Sequence, residues 1–143
     1  MEEVEEVRVE AERPKGPEEQ SEAAQAYLAQ QIEEFQAPIY FDFDESVLKP
    51  EAQASLRNKA AFLRMNSSFS VRIEGHCDER GTNEYNLTLG ERRAEAAEKY
   101  LRSLGISSSR VSTLSYGEEK PAVIGSNESA WSKNRRDEFV LIK

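Results

Sequence analysis

Asp78 and Arg93 are the two residues of this sequence whose types and spacing most directly suggest chemistry. They lie in one segment, Gly75–Ala94, with Asp78 in a predicted loop and Arg93 fifteen positions later in the early turns of a predicted helix. A carboxylate accepts hydrogen bonds from an ammonium group, and a guanidinium binds a carboxylate through two parallel hydrogen bonds. The pair therefore suits a zwitterionic ligand that carries an ammonium and a carboxylate a few bonds apart.

Each of these side chains also has a structural alternative. A loop aspartate often accepts hydrogen bonds from nearby backbone donors, which is the alternative role for Asp78. Arg93 follows Arg92 near the predicted helix start, where the helix dipole disfavours two cations unless a carboxylate compensates. That carboxylate belongs either to a ligand or to a surface acid such as Asp78 or Glu79. Both side chains are expected at the surface, so alanine variants at either position are expected to stay folded.

Catalytic and metal chemistry have little support in the sequence. His76 and Cys77 precede Asp78, but they are the only histidine and the only cysteine of the chain. Neighbouring residues of a strand point to opposite faces, and a zinc site normally recruits three or four such ligands. A nucleophile paired with a base is not recognisable either. We therefore predict a binding site with no catalytic residue, no metal and no cofactor.

The apolar periodicity predicts the elements that must position these residues. Between residues 38 and 143 the order is strand, helix, strand, helix, strand, short helix and strand. This alternation indicates a single sheet with helices packed on it. The predicted strands are Ile39–Phe43, Phe69–Ile73, Val111–Tyr116 and Phe139–Ile142. Because the last of these is a continuous apolar run, it is expected to be buried on both faces.

Capping signals place the helix boundaries. Pro50 is expected to open the first helix of the domain, since the first helical position needs no backbone donor. Thr88 and Glu91 have capping-box spacing, which predicts that the second helix starts near Leu89 and ends at Gly105. Asn86 would then be a turn residue that holds the loop before this helix.

Charge divides the chain into two parts. Residues 1–36 contain 11 acidic and 3 basic residues, whereas residues 37–143 contain 16 of each sign. A neutral domain argues against general nucleic-acid binding. Residues 1–20 have the composition of a disordered tether, and Ser21 is a predicted cap for a helix over 21–35. No apolar run is long enough for a membrane span, and the acidic start is unlike a secretory signal.

Four motifs resemble those of the OmpA-like peptidoglycan-binding domains, in particular the lipid-anchored branch of that family. They are IYFDFDES at 39–46, EGHCDERGTNEYNLTLGERRAEA at 74–96, SYGEEKPAV at 115–123 and SKNRR at 132–136. Their order and spacing match over residues 38–143. The resemblance implies an α+β fold, with a four-stranded mixed sheet and helices mainly on one face. The domain is accordingly assigned to residues 37–143, preceded by an acidic tether over 1–36.

The resemblance also implies a ligand and partners. The ligand would be the stem peptide of peptidoglycan, with Asp78 receiving the ammonium of meso-diaminopimelate and Arg93 its carboxylate. The implied pocket also contains Phe43, Asp44, Asn86 and Leu89. TolB, and other Tol or outer-membrane proteins, would be further partners on the periplasmic side of the outer membrane. Membrane attachment would require an N-terminal lipid, since this chain has no lipidation cysteine near its start.

Two other interpretations remain open. An enzyme that acts on cell-wall peptides could use Asp78 or His76, but would need a nucleophile and base that the sequence does not show. A protein–protein adaptor of the cell envelope could use the arginines for a protein partner. The adaptor predicts no binding of an isolated diaminopimelate peptide.

Overall fold

The computed structural model describes residues 21–143, so the predicted tether over residues 1–20 lies outside the described part. The helices and strands are α1 (Glu22–Phe35), β1 (Ile39–Tyr40), α2 (Pro50–Met65), β2 (Ser70–His76), α3 (Asn83–Ser103), β3 (Val111–Gly117), α4 (Glu128–Asn134) and β4 (Arg136–Ile142). A short 3-10 turn over Ser108–Arg110 precedes β3. Among these helices, none is both long and apolar enough to cross a membrane.

Clustering of contacts divides the described residues into two units between Gln31 and Ile32. The division falls inside α1, whose last turn belongs to the second unit. In that unit Phe35 is buried and its ring contacts Phe62 with the ring centroids 5.2 Å apart. The boundary between residues 36 and 37 stays a prediction.

The four strands form one sheet in the order β1-β4-β2-β3. β2 and β3 are parallel, and β4 is antiparallel to both β1 and β2. This confirms the predicted four-stranded mixed sheet. β1 is shorter than the expected Ile39–Phe43, because its partner β4 begins at Arg136, which pairs with Tyr40. Beyond this pair the chain turns away, and Asp44 adopts a left-handed backbone with φ 60°.

The core lies on one face of the sheet, beneath α2 and α3. It is formed by apolar side chains that recur at helical spacing on the helices and at alternate positions on the strands. Its fully buried members include Leu56, Leu63, Ile73, Leu101 and Phe139. Lys59 is also buried, and its ammonium donates to the carbonyls of Phe35 (2.5 Å) and Ala37 (2.7 Å). Burial lowers the pKa of Lys59 to about 8.

The prediction that β4 is buried on both faces is wrong. Phe139 is buried against the helices, but Val140 is only half-buried and Ile142 is exposed. The second face of the sheet carries no helix among the described elements, so the side chains of Val140 and Ile142 keep contact with solvent there. The strand also begins earlier than expected, at Arg136 and Asp137, both of which are buried.

The start of α3 differs from the expected position near Leu89. Thr82 is the N-cap, and its hydroxyl accepts a hydrogen bond from the backbone N–H of Tyr85 at 3.1 Å. The helix therefore begins at Asn83, and Thr88 lies within it. Arg93 is consequently near the middle of the helix, where the dipole effect of the first turn has faded. The predicted conflict between Arg93 and the helix dipole does not arise.

Two glycines allow α3 to lie directly against β2. A Cβ atom added to Gly75 would be 1.8 Å from the carbonyl oxygen of Gly90, which is far inside van der Waals contact. Only a pair of residues without side chains permits this approach. The contact brings the middle of α3 close to the carboxyl end of β2, where the predicted binding residues lie.

Candidate functional site

One pocket at the carboxyl end of β2 contains all six residues that the sequence predicted for the ligand site. Its volume is about 220 Å³. The lining residues are Phe43, Asp44, Cys77, Asp78, Arg80, Gly81, Tyr85, Asn86, Leu89 and Arg93. They come from the segment after β1, from the loop after β2 and from the first three turns of α3. The structure thus places the two predicted charged groups in one cavity.

Asp78 is buried, with 4% of its surface exposed. Its Oδ1 accepts hydrogen bonds from the backbone N–H of Arg80 (3.0 Å) and from Arg80 Nε (3.2 Å). Its Oδ2 accepts from Arg80 Nη2 at 2.8 Å and lies 3.6 Å from Arg135 Nη1. Burial opposes ionisation, but the hydrogen bonds and charge of Arg80 together hold the pKa of Asp78 below its usual value. Asp78 is therefore a charged acceptor that also has the predicted loop-capping contact.

Arg93 is even more buried, with 1% of its surface exposed. Its guanidinium donates to three backbone carbonyls, those of Glu45 (2.8 Å), His76 (2.9 Å) and Asp42 (3.1 Å). No ion pair joins it to a carboxylate among residues 21–143, so the surface salt bridge considered above is not formed there. A guanidinium has five N–H donors, so three carbonyl bonds leave two donors for a ligand.

The expectation that both charged side chains lie at the surface is wrong. Asp78 and Arg93 both line the cavity, and both are also hydrogen-bonded to other groups of the protein. Burial lowers the pKa of Arg93. An arginine side chain nevertheless stays a cation in proteins. Substitution of either residue will therefore affect folding stability together with any ligand contact.

Arg80 is a pocket residue that the sequence analysis did not assign to the ligand site. Its guanidinium carbon lies 3.8 Å from the ring centroid of Phe43 and 4.0 Å from that of Trp131, so it is stacked between two aromatic rings. The same guanidinium makes the paired contact with Asp78. Arginine preferentially stacks on aromatic faces, but the two rings are distant in sequence, and no local pattern indicates this arrangement.

Asn86 and Asp44 both line the pocket and both make side-chain hydrogen bonds there. The amide of Asn86 donates to the carbonyls of Asp78 (3.3 Å) and Arg80 (3.0 Å) and to Glu118 Oε1 (2.6 Å). It thus fixes the loop after β2, although it does so from inside α3 instead of from a turn. The hydroxyl of Tyr85 donates to Asp44 Oδ1.

Cys77 and His76 point in different directions, as the strand geometry predicted. Cys77 lines the pocket, and its thiol lies 3.2 Å from the carbonyl oxygen of Asn86. Burial raises the pKa of this thiol to about 11, so it is protonated and unreactive at neutral pH. The imidazole of His76 lies away from the pocket and stacks on Tyr116, with ring centroids 5.4 Å apart.

Arg135 and Asp137 form a second set of buried charges that sequence reasoning did not assign to the site. Arg135 donates to the carbonyl of Phe41 (2.9 Å) and to Glu128 (2.9 Å), in addition to its approach to Asp78. Asp137 is fully buried and has no hydrogen-bond partner for either carboxylate oxygen within the described residues. Burial raises its pKa well above the usual value, against the opposing charge of Arg93.

Comparison with known proteins identifies the class to which this fold and site belong. Residues 40–135 match the model of the OmpA family, and the chain belongs to that family. The resemblance stated from the motifs is thereby confirmed.

Within the family, the chain is similar to peptidoglycan-associated lipoproteins. It is 47% identical over 110 residues to the peptidoglycan-associated lipoprotein of Pasteurella multocida, covering 77% of this chain and 73% of the relative. It is 46% identical over 103 residues to that of Brucella melitensis, covering 72% of this chain and 61% of the relative.

Solved structures agree with these relatives. The crystal structure of the peptidoglycan-associated lipoprotein from Burkholderia pseudomallei is 40% identical with a TM-score of 0.72, covering 73% of this chain and 89% of that one. The C-terminal domain of Helicobacter pylori MotB is 18% identical with a TM-score of 0.70, covering 75% of this chain and 84% of that one. This second likeness concerns the fold alone.

Proposed function

We propose that this chain binds peptidoglycan non-covalently through the meso-diaminopimelate of its stem peptide. The observation that carries the proposal is that Asp78 and Arg93 line one cavity of about 220 Å³. A carboxylate and a guanidinium that line one cavity complement the ammonium and carboxylate of an amino-acid head group. The names of the similar lipoproteins support an association with peptidoglycan.

In this proposal the ligand carboxylate binds the two guanidinium donors of Arg93 that the backbone carbonyls leave free. The ligand ammonium binds Asp78, whose carboxylate it must share with Arg80 or take over from it. Phe43 and Leu89 provide apolar contacts for the methylene groups between the two charged ends. Asp44 and Asn86 keep the cavity in shape through their hydrogen bonds to Tyr85 and to the loop after β2.

The arrangement of the buried thiol and imidazole supports binding without catalysis. Nucleophilic catalysis requires a nucleophile and a base within hydrogen-bond reach. Cys77 is protonated and faces the pocket, whereas His76 packs on Tyr116 away from it. We therefore favour a non-enzymatic role over hydrolysis of cell-wall peptides.

At the level of the cell, we propose that the domain links the outer membrane to the cell wall. In this role the acidic residues 1–36 would connect it to a lipid-anchored segment on the periplasmic side, outside this chain. TolB and other Tol or outer-membrane proteins are the proposed partners in envelope integrity and cell division. The lipoprotein names of the relatives support the envelope location.

Calorimetric titration with a diaminopimelate-containing stem peptide tests the ligand. Loss of one charge-assisted hydrogen bond amounts to about 1.5–3 kcal/mol, so Asp78→Asn should weaken binding by about 10–100-fold. Glu84→Gln is the matched control, since Glu84 is an exposed acid in the first turn of α3. It should bind as the wild type does. The same peptide with lysine in place of diaminopimelate should also bind more weakly, because lysine lacks the second carboxylate.

Two results would contradict the proposal. If Asp78→Asn, shown to be folded by its amide NMR spectrum, retains wild-type affinity, the role of Asp78 is wrong. If the wild-type chain shows no heat of binding and no amide shifts at Asp78 or Arg93, the adaptor interpretation is favoured instead.

A further inference from the structure

The face of the sheet opposite the helices carries a cluster of chemistry-bearing side chains that the binding pocket does not use. Along β2, Val71 and Ile73 point into the core, so Glu74 and His76 point to the other face. Glu138 of β4 is paired directly with Glu74 across the two strands. One carboxylate oxygen of each glutamate and one ring nitrogen of His76 lie within 4.8 Å of one another.

His76 contributes a buried imidazole to this cluster, and its ring nitrogens lack hydrogen-bond partners within the described residues. Only 2% of its surface is exposed, and neither ring nitrogen has a hydrogen-bond partner within the described residues. A buried polar group without a partner is unfavourable and calls for an explanation such as an ion.

Glu74 and Glu138 place two like charges directly opposite each other on β2 and β4. Like charges directly opposite each other on adjacent strands are destabilising. Each glutamate is held by an arginine two residues earlier on its own strand, Arg72 Nε to Glu74 Oε2 (2.8 Å) and Arg136 Nε to Glu138 Oε2 (2.6 Å). Both hydrogen bonds use Oε2, which leaves Oε1 of each carboxylate for another partner. A cation between the two carboxylates would satisfy them and the imidazole at the same time.

We propose that Glu74, His76 and Glu138 bind a divalent transition-metal ion, with Zn²⁺ as the best match. One imidazole nitrogen and two carboxylate oxygens are ligands that Zn²⁺ accepts, and water can complete a tetrahedral set. Zinc bonds of about 2.0–2.2 Å place such ligands about 3.3 Å apart. The three atoms would have to move closer together to reach that spacing, and Glu138, whose side chain is 40% exposed, has room to move. Arg72 and Arg136 would then act as outer hydrogen-bonding groups that orient the carboxylates.

The surrounding charges set limits on the affinity and on the choice of ion. Arg72, Arg136 and Lys120, which lies over the Tyr116 ring, all raise the local positive potential. They make the site weaker than an acidic cluster of the same ligands would be. Mg²⁺ and Ca²⁺ prefer six or more oxygen ligands, so a site with a buried imidazole should discriminate against both.

The chain has a single histidine, which gives the test a specific readout. Zn²⁺ is titrated into the untagged, ¹⁵N-labelled chain, and the imidazole nitrogen resonances of His76 are followed by NMR. We expect one nitrogen to shift on addition of Zn²⁺ and neither to shift with Mg²⁺. Glu74→Gln and Glu138→Gln should each weaken Zn²⁺ binding at least about tenfold, since even outer-shell substitutions lose 10–100-fold. Glu51→Gln, an exposed acid at the start of α2, is the control and should bind as the wild type does.

The proposal would be overturned by unchanged imidazole resonances at about 1 mM Zn²⁺, far above the working range of a specific site. Unchanged imidazole resonances count against the proposal even when calorimetry detects Zn²⁺ binding, because the glutamates of residues 1–20 can also bind the ion. Wild-type affinity in both Glu74→Gln and Glu138→Gln would overturn it equally. Glutamine has nearly the same size as glutamate, so we expect both variants to stay folded. Their Zn²⁺ affinities can then be compared directly with that of the wild type. Peptide binding in the pocket is measured separately, and neither result depends on the other.

Discussion

Replacing Arg93 by lysine should strongly destabilise the domain, although the positive charge is kept. The planar guanidinium reaches three carbonyls that lie in different directions, on Asp42, Glu45 and His76. A lysine ammonium is a compact group on a flexible stem and cannot reach all three from the same backbone position. We expect it to keep one of these contacts and to lose two.

The size of the effect follows from the number of lost hydrogen bonds. Hydrogen bonds to charged groups contribute about 1.5–3 kcal/mol each, so the loss of two lowers the free energy of unfolding by about 3–6 kcal/mol. That is a large share of the total stability of a domain, which is about 5–15 kcal/mol. With a urea m-value of about 1–3 kcal/mol/M, even a loss of 3 kcal/mol moves the unfolding midpoint by about 1–3 M.

Urea unfolding monitored by the fluorescence of the single tryptophan, Trp131, measures this shift. Arg92→Lys is the matched control, because Arg92 is the neighbouring residue on the same helix and is exposed. The control should change stability by less than about 0.5 kcal/mol. If Arg93→Lys also stays within that range, the three carbonyl contacts do not stabilise the fold, and the reasoning is wrong.

Two further predictions concern the buried positions around the pocket. Gly75→Ala should lower the free energy of unfolding by about 3 kcal/mol or more. Its Cβ would lie 1.8 Å from the Gly90 carbonyl oxygen, so the two backbones must separate. Thermal unfolding measures the effect, and an unchanged midpoint would contradict the prediction. Asp137→Asn should gain stability relative to the wild type as the pH rises from about 4 to 7. A raised folded-state pKa gives Asp137 a stabilising contribution that is complete below its unfolded pKa of about 3.9 and lost as the pH rises. Parallel pH profiles of urea unfolding for the two proteins would refute this.

Local patterns predicted most of the fold. Alternation along Val71 and Ile73 identified β2, and Pro50 marked the first residue of α2. The start of α3 was misplaced because Thr82 and Thr88 both offer a cap, and the capping-box spacing of Thr88 with Glu91 suggested the wrong one. The choice between them depends on how far the loop after β2 must reach, which is a tertiary property.

For the site, the motifs led to the six residues that the structure gathers around one cavity, but they did not reveal how each is held. Asp78 and Arg93 were expected at the surface, because charged side chains usually are. Their burial depends on carbonyls and arginines contributed from remote segments, such as the carbonyl of Asp42 and the guanidinium of Arg135. Because these partners are far away along the chain, local sequence patterns do not indicate them.

By itself, the sequence determined the order of the helices and strands and the residue types of the binding segment, because periodicity and spacing are properties of neighbouring residues. The mixed sheet was implied by the resemblance to the family. Tertiary structure alone decided which groups share an environment. Packing of α3 against β2 through Gly75 and Gly90 brings the pocket together. Pairing of β2 with β4 sets Glu74 opposite Glu138 on the other face. Burial, hydrogen-bond satisfaction and pKa depend on atoms far apart along the chain, so only the folded arrangement specifies them.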